Sequence, residues 1–278
     1  MTNEKLNRVI NIGNEKLVLT VDEPDAERYL GDVLITPPFG ITAKKMFTLS
    51  YFLVRNGFRV FSLDFRNHVG ESFGEISDAR LSKQVEDILE VLLVTDIEII
   101  VSLSLSARAA LRACAMCERS LHGVFIAPVV DVRSTLHAVN GQDVFDIIQS
   151  GEPGLDMLGY YVKNTFIEDC IRYKFENCQD TIKDFSSIKG QITVIAGDSD
   201  PWVSFKSIQD VLDSISIPSK NTKLISIKAA SHKIDRNPAV ASTYFEAASR
   251  ECLNLLGRYS TPVEVPNFRD IVRDANNR

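Results

Sequence analysis

The stretch IIVSLSLSARAALRAC, residues 99–114, joins an apolar, β-branched run to an alanine- and leucine-rich run. This change of pattern predicts a strand that ends directly in a helix. Three serines, Ser102, Ser104 and Ser106, lie two residues apart at the junction. Short apolar runs alternate with helical patterns along much of the chain, which predicts an α/β fold with a mostly parallel central sheet flanked by helices.

The same patterns place the other elements. Two early strands are expected to form an antiparallel hairpin around a Gly13-Asn14 turn, over 7–13 and 16–23. The later strands are expected at 32–39, 58–65, 97–104, 122–130, 191–198 and 222–230. Helices are expected at 43–56, with Gly57 as the stop, and at 80–94, 104–118, 204–216 and 238–257. Residues 1–130 and 191–262 would therefore form one core.

Residues 131–190 break this alternation. The segment is aromatic and partly helical, without a clear strand, and its roughly sixty residues are far more than an ordinary connection needs. Ligands of open α/β sheets bind at the carboxyl ends of the strands. We therefore expect 131–190 to form a helical cap over that edge, a peripheral helical subdomain being the alternative. Residues 263–278 are expected to be a loosely ordered C-terminal tail.

Composition excludes several classes of function. The chain has 278 residues, 45% hydrophobic and 24% charged, which is typical of a globular protein with a core. A net charge of -6 without any Lys/Arg block argues against nucleic acid as a partner. The N-terminus lacks the apolar region of a secretory signal, and the apolar runs are too short or too charged to cross a bilayer. We expect a cytoplasmic protein.

The cysteines do not indicate a metal or redox site. Cys114 and Cys117 form a C-x-x-C, but it lies in an alanine-rich helical pattern and no second pair accompanies it. The five cysteines are an odd number, which does not suggest a disulfide framework. Thiols packed as small hydrophobes are the better interpretation, and neither a metal nor a cofactor is expected.

The serine-rich junction fits a nucleophile elbow, a strained strand-to-helix turn usually written G-x-S-x-G. The residues two before and two after the nucleophile approach neighbouring backbone, so both must be small. Ser104 has Ser102 and Ser106 at these positions. Centring on Ser102 would place Ile100 there, and centring on Ser106 would place Arg108 there. Only Ser104 satisfies the steric requirement.

A nucleophilic serine needs a histidine as base and an acid that orients it. His232 follows the predicted strand at 222–230, while His122 opens a strand at the opposite edge and His137 lies in the expected cap. His68, after the strand at 58–65, is the one rival and is read as structural. The acid is Asp200, in the segment DPWV, with Asp198 and Asp131 as alternatives.

An oxyanion hole would need two backbone N–H groups. Leu105, directly after the elbow serine, would supply one. The other should come from the loop TPPFGIT after the strand at 32–39. Pro37 and Pro38 have no N–H, so Phe39 is the first candidate, with Gly40 behind it. A plain turn is the alternative for this loop.

Six segments in order resemble a known family: SLSAR (104–108), HVGESFG (68–74), VVDVRSTL (129–136), FIEDC (166–170), DPWV (200–203) and SHKIDRN (231–237). They are similar to segments of the bacterial bioluminescence acyl transferases, acyl-carrier-protein thioesterases of the α/β-hydrolase superfamily. The resemblance runs from about residue 10 to about residue 260. It maps the nucleophile onto Ser104, the acid onto Asp200 and the base onto His232, in an elbow that likewise lacks glycines.

The resemblance implies a serine thioesterase or acyltransferase that takes an acyl chain from acyl carrier protein or CoA through an acyl-Ser104 intermediate. A downstream enzyme could accept the acyl group. A carboxylesterase or lipase-like hydrolase of oxygen esters, a chain-releasing thioesterase of polyketide biosynthesis, and a catalytically silent binding protein are the alternatives. Lys44, Lys45 and Arg108 could contact an acidic carrier protein, or be merely solvated. Arg133 could line the pocket or form a salt bridge with the cap.

Overall fold

The computed structural model describes residues 6–12, 14–215, 222–234 and 237–276. Gly13 of the predicted hairpin turn, and Asp235 and Arg236 of the segment SHKIDRN, lie outside these ranges. The strands within them are β1 (Leu6–Ile12), β2 (Glu15–Asp22), β3 (Gly31–Thr36), β4 (Phe58–Asp64), β5 (Ile99–Leu103), β6 (His122–Ile126), β7 (Gly154–Met157), β8 (Tyr160–Lys163), β9 (Ile192–Gly197) and β10 (Thr222–Ile227).

Eight strands form one sheet in the order β1-β2-β4-β3-β5-β6-β9-β10. The pairs from β4 to β10 are all parallel, whereas β2 runs antiparallel to β1 and to β4. The predicted hairpin and the mostly parallel sheet are thus confirmed. The parallel strands end at one edge, which brings the loops after β3, β5, β6, β9 and β10 together.

Helices cover both faces of the sheet. They are α1 (Phe47–Arg55), α2 (Leu81–Leu93), α3 (Ser106–Met116), α4 (Val132–Asn140), α5 (Val144–Gln149), α6 (Thr165–Arg172), α7 (Cys178–Phe185), α8 (Phe205–Asp213), α9 (Pro238–Leu255) and α10 (Phe268–Asn276). Apolar residues of α2, α3 and α8 pack in one core, and those of α1 and α9 pack in the other. The buried sheet residues between them explain why the inner strands are continuously apolar.

The segment between β6 and β9 contains a feature that the sequence did not predict. Besides the helices α4 to α7, it contains the antiparallel hairpin β7–β8. Each of its strands has four residues, too short for an alternating pattern to stand out. The expectation of a segment without strands was therefore wrong.

The chain end also differs from the expected loose tail. Residues 268–276 form α10, and Ile271 is buried against the core that contains α1 and α9. Tyr51 on α1 donates a hydrogen bond to Asp274 at 2.8 Å. Phe268, Ile271, Val272 and Ala275 follow the i, i+3, i+4, i+7 spacing of an amphipathic helix, so this helix could have been predicted from the sequence.

Within the part of the chain that the structure describes, none of the helices combines the length and the apolar character that a bilayer crossing requires.

Candidate active site

The turn between β5 and α3 presents Ser104 in a left-handed backbone conformation. Its φ is 54°, a value that costs a residue with a Cβ about 1–2 kcal/mol. Two contacts with the end of β6 hold the turn: the Ser104 N–H donates to Ile126 O at 3.0 Å, and the Val129 N–H donates to Ser104 O at 3.1 Å. The helix therefore begins at Ser106 and not at Ser104, and the Ser104 side chain projects from the turn into a cavity.

The two flanking serines are buried and hydrogen-bonded. Thr36, the last residue of β3, donates to Ser102 Oγ at 2.5 Å, and Ser106 Oγ donates to Leu103 O at 2.8 Å. Ser102 Oγ and Ser106 Oγ lie 3.1 Å apart. Each side chain fills the small space beside the turn with a satisfied hydroxyl. The serines therefore fit the places that glycines usually take, and they fasten the turn to the strand that precedes the loop with Phe39.

Ser104, His232 and Asp200 form a continuous hydrogen-bonded relay. Ser104 Oγ lies 2.7 Å from His232 Nε2, and His232 Nδ1 lies 2.7 Å from Asp200 Oδ2. Because a carboxylate only accepts, Nδ1 carries the proton and Nε2 accepts from the serine hydroxyl. The His232 and Asp200 side chains are 8% and 3% exposed, so the relay is largely shielded from water.

Backbone groups and an aromatic ring orient the relay. The other oxygen of Asp200 accepts from the N–H groups of Trp202 at 2.9 Å and Val203 at 3.0 Å. The Trp202 ring lies 5.0 Å from the His232 ring. The segment DPWV thus supplies the carboxylate, two donors that fix it and one wall against the imidazole.

The two alternative acids have other partners. Asp198 accepts from the Ala229 N–H at 2.7 Å, between the ends of β9 and β10. Asp131 caps α4 by accepting from the Ser134 N–H at 2.7 Å. Of the three predicted acids, only Asp200 bonds to His232.

Phe39, in the loop after β3, and Leu105, in the turn after β5, line the same cavity as Ser104. Neither backbone N–H donates a hydrogen bond to another residue in the described ranges. The Gly40 N–H, by contrast, donates to His68 Nε2 at 3.0 Å. Of the three N–H groups predicted for the oxyanion hole, those of Phe39 and Leu105 therefore have no acceptor among the described residues, and that of Gly40 has one.

His68 is a buried support of this loop. Burial lowers the pKa of His68 to about 4, which keeps the ring neutral and able to accept from Gly40. The Phe39 ring packs edge-on against it at 5.4 Å. No hydrogen bond joins His68 to Ser104, His232 or Asp200 in the described residues, and its Nε2 is occupied by the Gly40 N–H.

The hairpin β7–β8 reaches down onto the same loop. Tyr160 donates a hydrogen bond to Gly40 O at 3.3 Å, and its ring packs against Phe39 at 6.1 Å. Gly40 has a φ of 74°, and a Cβ on it would lie 2.7 Å from the Tyr160 ring. A glycine is thus required there, and the segment 131–190 touches the site directly. No local pattern points to Tyr160, since its partner is 120 residues away.

A cavity of about 990 Å³ opens beside Ser104. Its apolar walls come from the loop after β3, from α1, α4 and α9, from the β7–β8 turn and from the C-terminal segment. Two exposed lysines lie at its edge, Lys45 and Lys233. The Lys233 ammonium is 5.0 Å from the Trp202 ring. This combination suits a ligand with a long apolar part and an anionic end.

Two predicted contacts have other roles. Arg108 is fully buried and pairs with Asp184 at 2.6 Å, so the expectation that it could offer a surface charge was wrong. Arg133 pairs with Asp143, Asp146 and Glu176 at 2.6–3.0 Å, all within 131–190, and does not line the cavity. Arg108 thus joins α3 to the segment 131–190, and Arg133 joins parts of that segment to one another.

The cysteines fit the expectation of packed thiols. Cys114 is buried in α3, Cys117 is half-buried at its end, and all five cysteines are free. Burial raises the pKa of the Cys114 thiol far above its ordinary value, which makes the thiolate inaccessible. No group of three or more metal-ligating side chains occurs among the described residues.

The sheet order, with parallel strands that end at one edge, is that of the α/β-hydrolase fold. Solved structures with this fold include Est1E from Butyrivibrio proteoclasticus bound to ferulic acid and a monoacylglycerol lipase from Paleococcus ferrophilus. Est1E has a TM-score of 0.69 and 19% identity over 90% of this chain and 99% of its own. The lipase has a TM-score of 0.69 and 14% identity over 87% of this chain and 99% of its own.

The particular family follows from the sequence. The profile of the acyl transferase family matches residues 4–271, and the chain belongs to that family. An acyl transferase from Photobacterium phosphoreum is 25% identical over 95% of this chain and 90% of its own length. One from Aliivibrio fischeri is 26% identical over 86% of this chain and 80% of its own length. The resemblance described above is confirmed at the level of the family, and the protein is an enzyme that acts on acyl groups.

Proposed function

We propose that the protein is a serine thioesterase or acyltransferase with Ser104 as its nucleophile. The hydrogen-bonded relay Ser104–His232–Asp200 at the wall of an apolar cavity is the observation that carries this proposal. Membership of the acyl transferase family supports it. The proposal adds a covalent mechanism and a thioester donor to that family assignment.

The chemistry begins with proton transfer from Ser104 Oγ to His232 Nε2 as the oxygen attacks the thioester carbonyl. Asp200 keeps the imidazole in the required tautomer and stabilises the imidazolium without itself taking the proton. The carbonyl oxygen becomes an oxyanion, which the N–H groups of Phe39 and Leu105 would bind. His232 then returns its proton to the departing sulfur, and the acyl group remains on Ser104.

In the second half of the reaction, His232 removes a proton from water or another acceptor, which attacks the acyl-serine. The acceptor leaves with the acyl group, and Ser104 regains its proton. Water gives a free acid, and an alcohol or thiol gives a transferred acyl group. The shielded relay limits water near the ester, which favours a stable acyl-enzyme when no acceptor is bound.

The donor we favour carries its acyl chain on a phosphopantetheine arm, the group that acyl carrier protein and CoA share. Lys45 and Lys233 at the edge of the cavity support this choice, since exposed ammonium groups attract a phosphate. Lys44 adds a further exposed cation beside Lys45. The same exposed lysines would attract the acidic surface expected of a carrier protein.

A fluorophosphonate probe tests the nucleophile. Wild type should be labelled and Ser104→Ala should not, while Ser102→Ala and Ser106→Ala serve as matched serine controls in the same turn. Equal labelling of Ser104→Ala would overturn the proposal.

Rates on acyl carrier protein thioesters, acyl-CoA and p-nitrophenyl esters of matched chain length test the donor. We expect kcat/KM to be highest for the two pantetheine thioesters. A clear preference for short oxygen esters would make the protein a carboxylesterase instead.

A further inference from the structure

The loop after β3 contains a tight turn at residues 38–41. The Ile41 N–H donates to Pro38 O at 3.1 Å, and Gly40, the third residue of the turn, has a φ of 74°. Phe39, the second residue, is not among the described residues with a positive φ. A turn whose third residue alone has a positive φ is of type II, in which glycine is favoured at that position. The segment PPFG thus forms a type II turn around Phe39.

This turn fixes the direction of the Phe39 N–H. None of the described peptide bonds is cis, so the Pro38 carbonyl and the Phe39 N–H point in opposite directions from one planar group. The carbonyl faces Ile41 inside the turn, and the N–H therefore points out of it. Because Phe39 lines the cavity that contains Ser104, a rotation of the turn would misalign a donor for the oxyanion.

Two side chains from different parts of the molecule hold the turn at Gly40. His68 accepts from the Gly40 N–H at 3.0 Å, and the Tyr160 hydroxyl donates to Gly40 O at 3.3 Å. Both rings also pack edge-on against the Phe39 ring, with centroid distances of 5.4 Å and 6.1 Å. The peptide groups on either side of Gly40 are therefore each fixed by a hydrogen bond to a side chain.

The β7–β8 hairpin gives Tyr160 a firm attachment. Met157 and Val162 of the hairpin are buried in the core that contains α2 and α3. Lys163, at the end of β8, pairs with Asp78 at 2.7 Å. The hairpin is thus joined to the rest of the molecule on the same strand that holds Tyr160, which lets the hydroxyl resist movement of the turn.

Tyr160 is not among the residues that line the cavity in the described part of the chain. Its contacts with the site run through Gly40 and Phe39. We infer that Tyr160 is a positioning residue for the oxyanion hole, because its hydroxyl and ring hold the turn that aims the Phe39 N–H. This inference rests on the proposed function and gives the segment 131–190 a part in stabilising the transition state.

A set of tyrosine variants tests the inference. Tyr160→Phe removes the hydroxyl and keeps the ring, so the fold should persist. Loss of a whole oxyanion donor lowers kcat about 10²–10³-fold, and a donor that is only held less firmly should cost less, about tenfold in kcat/KM. Tyr160→Leu also removes the ring against Gly40 and Phe39 and should lose more. Tyr161→Phe, in a neighbour that is 54% exposed, is the matched control and should keep the wild-type value.

Two ketones separate positioning from packing. A trifluoromethyl ketone with a dodecyl chain accepts Ser104 Oγ at its carbonyl carbon, the serine proton passes to His232 Nε2, and the carbonyl oxygen becomes an oxyanion. The methyl ketone of the same length binds without this adduct. We expect the inhibition constant of the trifluoromethyl ketone to rise about tenfold in Tyr160→Phe, and that of the methyl ketone to change less than about twofold. Concentrations of active enzyme are set by fluorophosphonate titration.

Two results would overturn the inference. One is an unchanged kcat/KM and trifluoromethyl ketone affinity in Tyr160→Phe, and the other is an equal weakening of both ketones, which would indicate packing of the ligand. Absence of turnover and of any Ser104 adduct with the trifluoromethyl ketone in wild type would instead overturn the proposed function. The two failures are therefore distinct.

Discussion

The serine turn and the segment 131–190 are built in opposite ways. The turn around Ser104 is held by neighbours in sequence and in adjacent strands, through small buried hydroxyls and backbone hydrogen bonds. The segment 131–190 is joined to the core by charged pairs such as Arg108–Asp184 and Lys163–Asp78. The position of Ser104 thus depends on local backbone geometry, whereas contacts between distant side chains position the segment 131–190, which contributes residues to the cavity wall.

Removal of the proposed nucleophile should have the largest effect on activity. Ser104→Ala should lower kcat about 10⁶-fold, because no acyl-enzyme can form. Thioesterase assays with purified protein measure it, and the melting temperature shows whether the fold persists. The kcat of Ser102→Ala and of Ser106→Ala should fall far less, since the hydroxyls of Ser102 and Ser106 support the turn but do not face the cavity. Comparable losses in all three variants would contradict the assignment of one serine.

The next largest effect concerns the acid. Asp200→Asn should lower kcat about 10⁴-fold, because an amide can donate to His232 Nδ1 and favour the wrong tautomer. Asp198→Asn is the matched control, since Asp198 bonds to Ala229 and not to His232. A greater loss in Asp198→Asn than in Asp200→Asn, measured by steady-state kinetics, would transfer the role to the other carboxylate.

The contact between α3 and the segment 131–190 should dominate stability. Asp184→Asn leaves the buried Arg108 charge without its carboxylate and should destabilise the protein by about 3–5 kcal/mol. Urea denaturation measures the change in the free energy of unfolding. Arg133→Met removes pairs that are about one-third exposed and should cost less than about 1 kcal/mol. Equal costs would mean that burial of the ion pair does not matter.

The buried histidine beneath the oxyanion loop makes stability depend on pH. The pKa of His68 is about 4 in the folded protein and 6.5 when the ring is free. As the pH falls, the unfolded state therefore binds the proton first. The stability that neutral His68 contributes is present above about pH 6.5, and the free energy of unfolding falls by about 3 kcal/mol as the pH drops to 4. His68→Gln should lose this part of the slope. The same slope in both proteins between pH 6.5 and 4 would rule out His68 as its source.

The smallest effect tests the strain at the turn. Because Ser104 has a φ of 54°, Ser104→Gly should be more stable than Ser104→Ala by about 1 kcal/mol. Both variants lack the hydroxyl, so the difference reports backbone conformation alone. Thermal unfolding of the two proteins measures it. A more stable alanine variant would mean that the turn is not strained.

The sequence predicted the parts of the molecule that depend on local pattern. The positions of the core strands and helices follow from alternating apolar runs, and the choice of Ser104 follows from the size of Ser102 and Ser106. The structure brings His232 to Ser104 because β9 and β10 end at the same edge as β5. These outcomes needed only periodicity and chain order.

The sequence could not predict contacts between distant segments. Tyr160 meets Gly40 across 120 residues, and Arg55 meets Glu264 across 209 residues. Neither pair leaves a periodic signal, since each depends on how whole elements dock. The contact of the hairpin β7–β8 with the loop after β3 was missed for this reason. The helix α10 does have an amphipathic pattern, but the place where it docks depends on such distant contacts.

Locating the acyl group on the enzyme tests directly whether Ser104 is the nucleophile. Wild type would be mixed with hexadecanoyl-CoA, quenched in acid and digested, and the acylated peptide would be sequenced by mass spectrometry. We expect one hexadecanoyl ester, on Ser104, and none in Ser104→Ala. Turnover of the thioester without an adduct on Ser104, or with an adduct on a cysteine in its place, would contradict it.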